Sequence, residues 1–113
     1  MFRIKASDSY LWPVKGRRPL DGGKFEQFSF DMAFRRINET ELAALVARTR
    51  EGDLRDAEFV REIAVGFSGV QDAEGNEVPF SQQGLALLLN ESGVPAACVT
   101  AFFESLPGAR QKN

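Results

Sequence analysis

The side chains able to do chemistry here are one thiol and a scatter of carboxylates. Among 113 residues none is histidine, and Cys98 is the single cysteine. A Ser-His-Asp or Cys-His nucleophile therefore has no base, and the usual zinc arrangements lack ligands. Cys98 sits among the apolar helical neighbours Ala97, Val99 and Phe102, which reads as a buried structural thiol. It has no partner for a disulfide within the chain. Carboxylates gather at Asp72, Glu74 and Glu77, beside Asn76. Their spacing misses the Asp-x-Asp-x-Asn-Gly order of a calcium loop, and Glu77 falls too early to be the closing ligand. A solvated turn with Gly75 at positive φ is the simpler reading. No acid pair stands in an apolar setting that would raise a pKa for general-acid work. Gly66-Phe67-Ser68-Gly69 lacks the lysine and the spacing of a phosphate-cradling loop. The chain reads as no enzyme, with no catalytic residue, no metal ligand and no cofactor site.

The elements that would position these groups fall into a β-rich part, 1–37, and a helical part, 38–108, followed by a polar tail, 109–113. Phe2 and Ile4 alternate with Arg3 and Lys5, and Tyr10-Leu11-Trp12-Pro13-Val14 favours β structure. Pro13 cannot donate to a ladder, which puts its strand on an edge or at a bulge. Gly16 to Lys24, with Pro19 and Asp21-Gly22-Gly23, reads as a turn-rich loop. Phe28, Phe30, Met32 and Phe34 alternate with Ser29, Asp31, Ala33 and Arg35, a strand with one apolar face. Two or three antiparallel strands are expected, with helices covering the apolar face.

Four helices follow. Asn38 and Glu41 form a capping box flanked by Ile37 and Leu42. Leu42, Leu45, Val46 and Thr49 give a buried stripe, and Gly52 ends the helix. Asp53 is placed to cap a second helix carrying Phe59, Val60, Ile63, Ala64 and Phe67 on one face. The β-branched character near Val65 leaves a strand open there. Ser81 caps a third helix with Leu85, Leu88 and Leu89 inward. Pro95 suits the first turn of a fourth. On that helix Val94, Cys98 and Phe102 form one stripe, and Val99, Phe103 and Leu106 form an adjacent one. So wide an apolar surface means either deep burial or one stripe meeting another molecule.

Composition bounds the partners. Apolar residues are 43% and charged residues 27%, with ten phenylalanines, so one globular domain with a modest core is expected. Surplus aromatics would form a contact patch. The net charge of -2 argues against general nucleic-acid binding. Arg17-Arg18 and Arg35-Arg36 read as solvated pairs. No apolar run reaches the length of a membrane helix, and Met1–Lys5 lacks the apolar stretch of a signal peptide. These features point to a reducing cytoplasm.

In order and spacing the pieces resemble the tail assembly chaperones of long, flexible-tailed bacteriophages and prophages. The likeness runs over nearly the whole length. It comprises Trp12-Pro13-Val14, Gly22-Gly23-Lys24 and Phe30-x-x-x-Phe34-Arg35-Arg36-Ile37, then Gly66-Phe67-x-Gly69-Val70 and the Asp72–Gly75 turn. Val78-Pro79-Phe80-Ser81, Gly93-Val94 and Lys112-Asn113 complete it. Where this chain has Phe67 the family commonly has Trp. A large aromatic is kept but the indole donor is lost, which puts any role resting on that N–H in question.

The resemblance implies function without bond-breaking. Such proteins hold the long tape measure protein soluble in the host bacterial cytoplasm, help recruit tail tube subunits, and are absent from the mature virion. The expected contact residues are Phe67, Val70, Val99, Phe102, Phe103 and Leu106; the other reading of Phe67 and Phe80 is that both plug the core beneath the acidic turn. A homo-oligomer is a further expectation; nucleic acid and membrane are not expected partners. The family often has a longer form made by programmed frameshift. Gln111-Lys112-Asn113 permits a slip-prone codon run, which the gene sequence would reveal. The competing readings are a minor tail protein retained in the virion and a small regulatory or inhibitor protein. The expected fold is α+β: a small N-terminal antiparallel sheet followed by about four short helices.

Overall fold

Alternating apolar residues on two long segments make a β-hairpin the organising element. The computed structural model describes residues 1–4 and 7–107. Strand β1 (Ser9–Leu20) pairs antiparallel with β2 (Lys24–Arg35), in register from Ser9↔Arg35 to Leu20↔Lys24. The Arg36 N–H donates to the Asp8 carbonyl at 2.9 Å, one pair beyond that ladder. Even-numbered β1 residues therefore exchange hydrogen bonds with β2, while odd-numbered ones turn their backbone groups to the outer edge. Pro13 and Pro19 are both odd. Their missing donors face the edge, so neither breaks the pairing.

This corrects the expectation of a loop from Gly16 to Lys24. Strand pairing continues to Leu20, and only Asp21–Gly23 turns, with Gly22 and Gly23 both at φ 79°. Gly16 is needed for a different reason. The Phe28 ring lies over it, and a Cβ there would sit 2.4 Å from the ring's Cζ. The expected strand at Phe2–Lys5 is also absent where described: Phe2 and Ile4 are exposed and outside any strand. Lys5 lies outside the described residues, as does the 109–113 tail.

Helix α1 (Glu39–Arg50) starts as expected, with Asn38 Oδ1 accepting from the Glu41 N–H at 2.8 Å. Leu42 and Leu45 are buried, whereas Thr49 is exposed and donates to the Leu45 carbonyl. Helix α2 (Asp56–Ile63) is capped two residues later than Asp53 suggested: the Glu58 carboxylate accepts from the Arg55 N–H at 2.8 Å. It stops at Ile63. Ala64–Ser68 leaves the helix to form β3, pairing antiparallel with β2 in the order β1-β2-β3. Phe67 thus belongs to a strand and not to a helical face. Val65 and Gly66, poor helix residues, sit where the chain switches, and Val65 is the extra residue of a bulge opposite Ala33 and Phe34.

The fold is α+β: a three-stranded antiparallel sheet with four helices against its apolar face. After β3, Asp72 organises a tight reversal. Its Oδ1 accepts from the N–H groups of Glu74 (3.0 Å) and Asn76 (2.9 Å), and Gly75 has φ 85°. Helix α3 (Gln82–Leu89) is capped by Ser81 Oγ, which accepts from the Gly84 N–H at 2.9 Å. Gly93 at φ 84° swings the chain into α4 (Val94–Glu104). Among the described residues no single helix is long and apolar enough to cross a membrane. The α3–α4 pair passes that test together, but it bends by 103° and buries much of its apolar surface in the core.

Phe102, with no exposed surface, is the centre of the core. Its ring meets Phe34 at 5.3 Å, Phe59 at 5.7 Å and Phe103 at 5.5 Å between centroids, all edge-on. That geometry suits the quadrupoles of aromatic rings. Phe67 packs edge-on against Phe80 at 5.3 Å, away from this cluster.

Candidate functional site

The chemistry-bearing residues are dispersed by the fold. Cys98 is buried, and desolvation pushes its thiol from an ordinary value near 9.0 up to about 12. A thiol so disfavoured as thiolate is a poor nucleophile. Asp72 spends its carboxylate on two backbone amides of its own turn. Among the described residues no group of three or more His, Cys, Asp or Glu side chains could hold a metal ion. Two concavities among the described residues have apolar lining.

The first is a cleft of about 410 Å³ where the start of β1 and the end of β2 meet the end of α4. Tyr10, Leu11 and Trp12 form one wall, Arg35, Arg36 and Ile37 another, and Ser105, Leu106 and Pro107 the third; the buried Phe102 lies beneath. Leu11 is 64% exposed. A short polar relay fixes the floor. The Tyr10 hydroxyl donates to Ser105 Oγ at 2.7 Å, which donates to the Phe102 carbonyl at 2.6 Å. Both arginines are held in place. Arg35 reaches the Glu62 carbonyl with Nε and one terminal nitrogen (3.2 and 3.0 Å) and the Glu41 carboxylate with the other (3.0 Å). Arg36 bonds Ser7 Oγ at 2.9 Å and lies 4.9 Å from the Tyr10 ring centre, a cation–π contact. Both stay at the surface as expected, Arg36 exposed and Arg35 half-buried, but with protein partners as well as water. The cleft is apolar with a preorganised basic rim.

The second is a groove of about 700 Å³ between β2, the Asp72 turn and the α3–α4 corner. Phe28, Phe30, Val70, Val78 and Leu88 give it an apolar floor, and Leu87, 68% exposed, stands on its wall. Arg18, Asp72 and Glu91 supply charge, with Arg18 bridging Glu26 at 3.1 Å and Glu91 at 3.7 Å.

The six expected contact residues divide among these surroundings. Val70 lines the groove and Leu106 the cleft. Val99 and Phe103 are half-buried against the core. Phe67 and Phe102 are buried outright, which agrees with the core reading of Phe67 and corrects the contact reading of both. The inward stripe of α4 is the one facing the sheet, so Phe102 is enclosed by rings from β2 and α2. Phe67 points to the covered face because its neighbour Met32 does. Leu11, Trp12, Ile37 and Leu87 were missed as surface residues. Leu87 had a readable signal, since it falls off the Leu85-Leu88-Leu89 stripe. Leu11 alternates with Tyr10 and Trp12, which marks it as facing outward once the covered face is known.

Comparison with protein families, with curated proteins and with solved structures finds no match.

Proposed function

We propose that this chain is a non-enzymatic assembly chaperone whose cleft takes an apolar segment of a client protein. The client, following the resemblance to phage tail assembly chaperones, is the tape measure protein, held in the host cytoplasm while tail tube subunits are recruited. The observation that carries the reading is the cleft itself. Trp12, Ile37 and Leu106 converge on a concave surface that the chain's own core leaves open, and outward-facing Leu11 stands at its rim. Large apolar side chains around a depression are what a partner's anchors fill. Arg35 and Arg36, already oriented by their own bonds, favour a client segment with acidic flanks. No step in such a mechanism needs a nucleotide, a metal or a nucleophile.

Trp12 is the only tryptophan and lies in the cleft, so its emission reports occupancy directly. Titration with soluble client fragments should shift that emission to the blue. Co-expression with the tape measure protein should raise the client's soluble fraction, and Leu11→Asp should abolish both effects while leaving the thermal transition in place. An unchanged emission and unchanged client solubility would defeat the reading. Stoichiometric recovery of the chain in purified particles would replace it with a structural tail component.

A further inference from the structure

The hairpin runs beyond the body of the protein. Every residue from Arg17 to Gln27 is exposed. Four residues of each strand reach past the last core-facing positions, about 13 Å at ordinary strand rise. The molecule's longest extent is accordingly 46 Å, against 28 and 26 Å for the other two. The arm is ordered, not loose. Arg17 lies 4.3 Å from the Phe25 ring centre, and Arg18 bridges Glu26. Yet it carries two large apolar side chains into solvent, Leu20 (50% exposed) and Phe25 (53% exposed).

We infer that the arm of one copy docks into the larger groove of a second copy, head to tail. Charge and polarity both match. From Arg17 to Gln27 three cations (Arg17, Arg18, Lys24) stand with two carboxylates (Asp21, Glu26), a net of +1. The groove lining carries Asp72 and Glu91, the latter already bridged by Arg18 of the same copy at 3.7 Å, with Glu74 and Glu77 on the Asp72 turn. Neither Lys24 nor Glu74 has an ion pair among the described residues. Apolar Phe25 meets an apolar floor of Val70, Val78 and Leu88 under exposed Leu87, while Leu20, in the next cross-strand pair, lies on the opposite face of the arm. Arm and groove are different patches of one chain, so the contact is heterologous and repeats into a ring or an open filament. The strand edge beside the arm does not compete. Pro13 and Pro19 remove two of its outward donors, which discourages edge-to-edge pairing.

The test is sedimentation of the full chain over a roughly hundredfold concentration range at low and high salt. The wild type should self-associate, less so at high salt. Phe25→Asp, which spoils the arm, and Leu87→Asp, which spoils the groove, should each weaken association by about tenfold or more. An equal mixture of the two variants should form one-to-one pairs and nothing larger, because each still offers one intact half. Lys24→Glu and Glu74→Lys should each weaken assembly, and the double variant should recover it. A wild type that stays monomeric, a mixture that stays monomeric, or a double variant without recovery overturns the inference. Phe25→Asp should keep the Trp12 response to client. Loss of the client response in the wild type, with arm–groove pairing intact, would sink only the functional reading.

Discussion

Replacing Phe102 with alanine separates a core role from a contact role for the residue at the middle of α4. The side chain is fully enclosed and touches three other rings at 5.3, 5.7 and 5.5 Å. Core Phe→Ala changes cost about 3–5 kcal/mol, with the upper half reached where surroundings cannot collapse. Collapse is poor here. Phe34 sits on β2, which is paired on both edges, and Phe59 is held by a short helix ending in a strand. Each lost edge-on pair removes a further ~0.5–1.5 kcal/mol, partly included in that range. The expected loss is about 4 kcal/mol, a large share of the ~5–15 kcal/mol that holds a domain of this kind together. Urea unfolding followed by far-ultraviolet circular dichroism reads it. With a slope of about 1.5 kcal/mol per molar, the midpoint should fall by roughly 2.5 M at unchanged slope. Phe103→Ala, half-buried on the same helix, should cost about half as much. A Phe102→Ala loss under ~1 kcal/mol, with client binding gone, would refute the argument and return Phe102 to the surface.

Two further outcomes follow from the same structure. Burial keeps the Cys98 thiol protonated up to about 12, whereas the unfolded chain ionises near 9.0. Between those values the unfolded state holds fewer protons, so stability is intact below pH 9.0 and falls as pH rises towards 12, by at most ~1.4 kcal/mol per unit from this group. Cys98→Ala, compared with wild type in alkaline unfolding curves, should lack that component; identical slopes would show the thiol is not desolvated. Gly16→Ala drives a Cβ into the Phe28 ring that stacks on Phe30 at 6.3 Å. It should cost ~1–3 kcal/mol through displacement of that ring, and a neutral result by thermal unfolding would mean Phe28 does not lie over Gly16.

Local signals were legible where one residue's chemistry decides the outcome. Asn38 and Ser81 accept the backbone bonds their positions call for, Gly52, Gly75 and Gly93 take positive φ, and the Phe28–Phe34 alternation is a strand. Signals failed where a neighbour decides. Gly16 and Pro19 look like breakers, but a glycine under a ring and a proline facing an open edge both fit a continuing strand. Phe59 to Phe67 keeps helical spacing throughout, yet pairing with Asp31–Phe34 takes Ala64–Ser68 as a third strand. The contact surfaces were the least readable. Phe67 and Phe102 have the composition of anchors and are interior, while Leu11 and Leu87 are ordinary leucines left outside.

By itself the sequence determined that this is an α+β chain with capped short helices, an aromatic core and no histidine to serve as a base, because those follow from residue type and local spacing. The tertiary structure decided which apolar side chains face solvent, how far the hairpin projects, and where the cleft and groove lie. Exposure is a property of what packs against a side chain, and that neighbour is often tens of residues away: Tyr10 and Ser105 close one cleft from opposite ends of the chain.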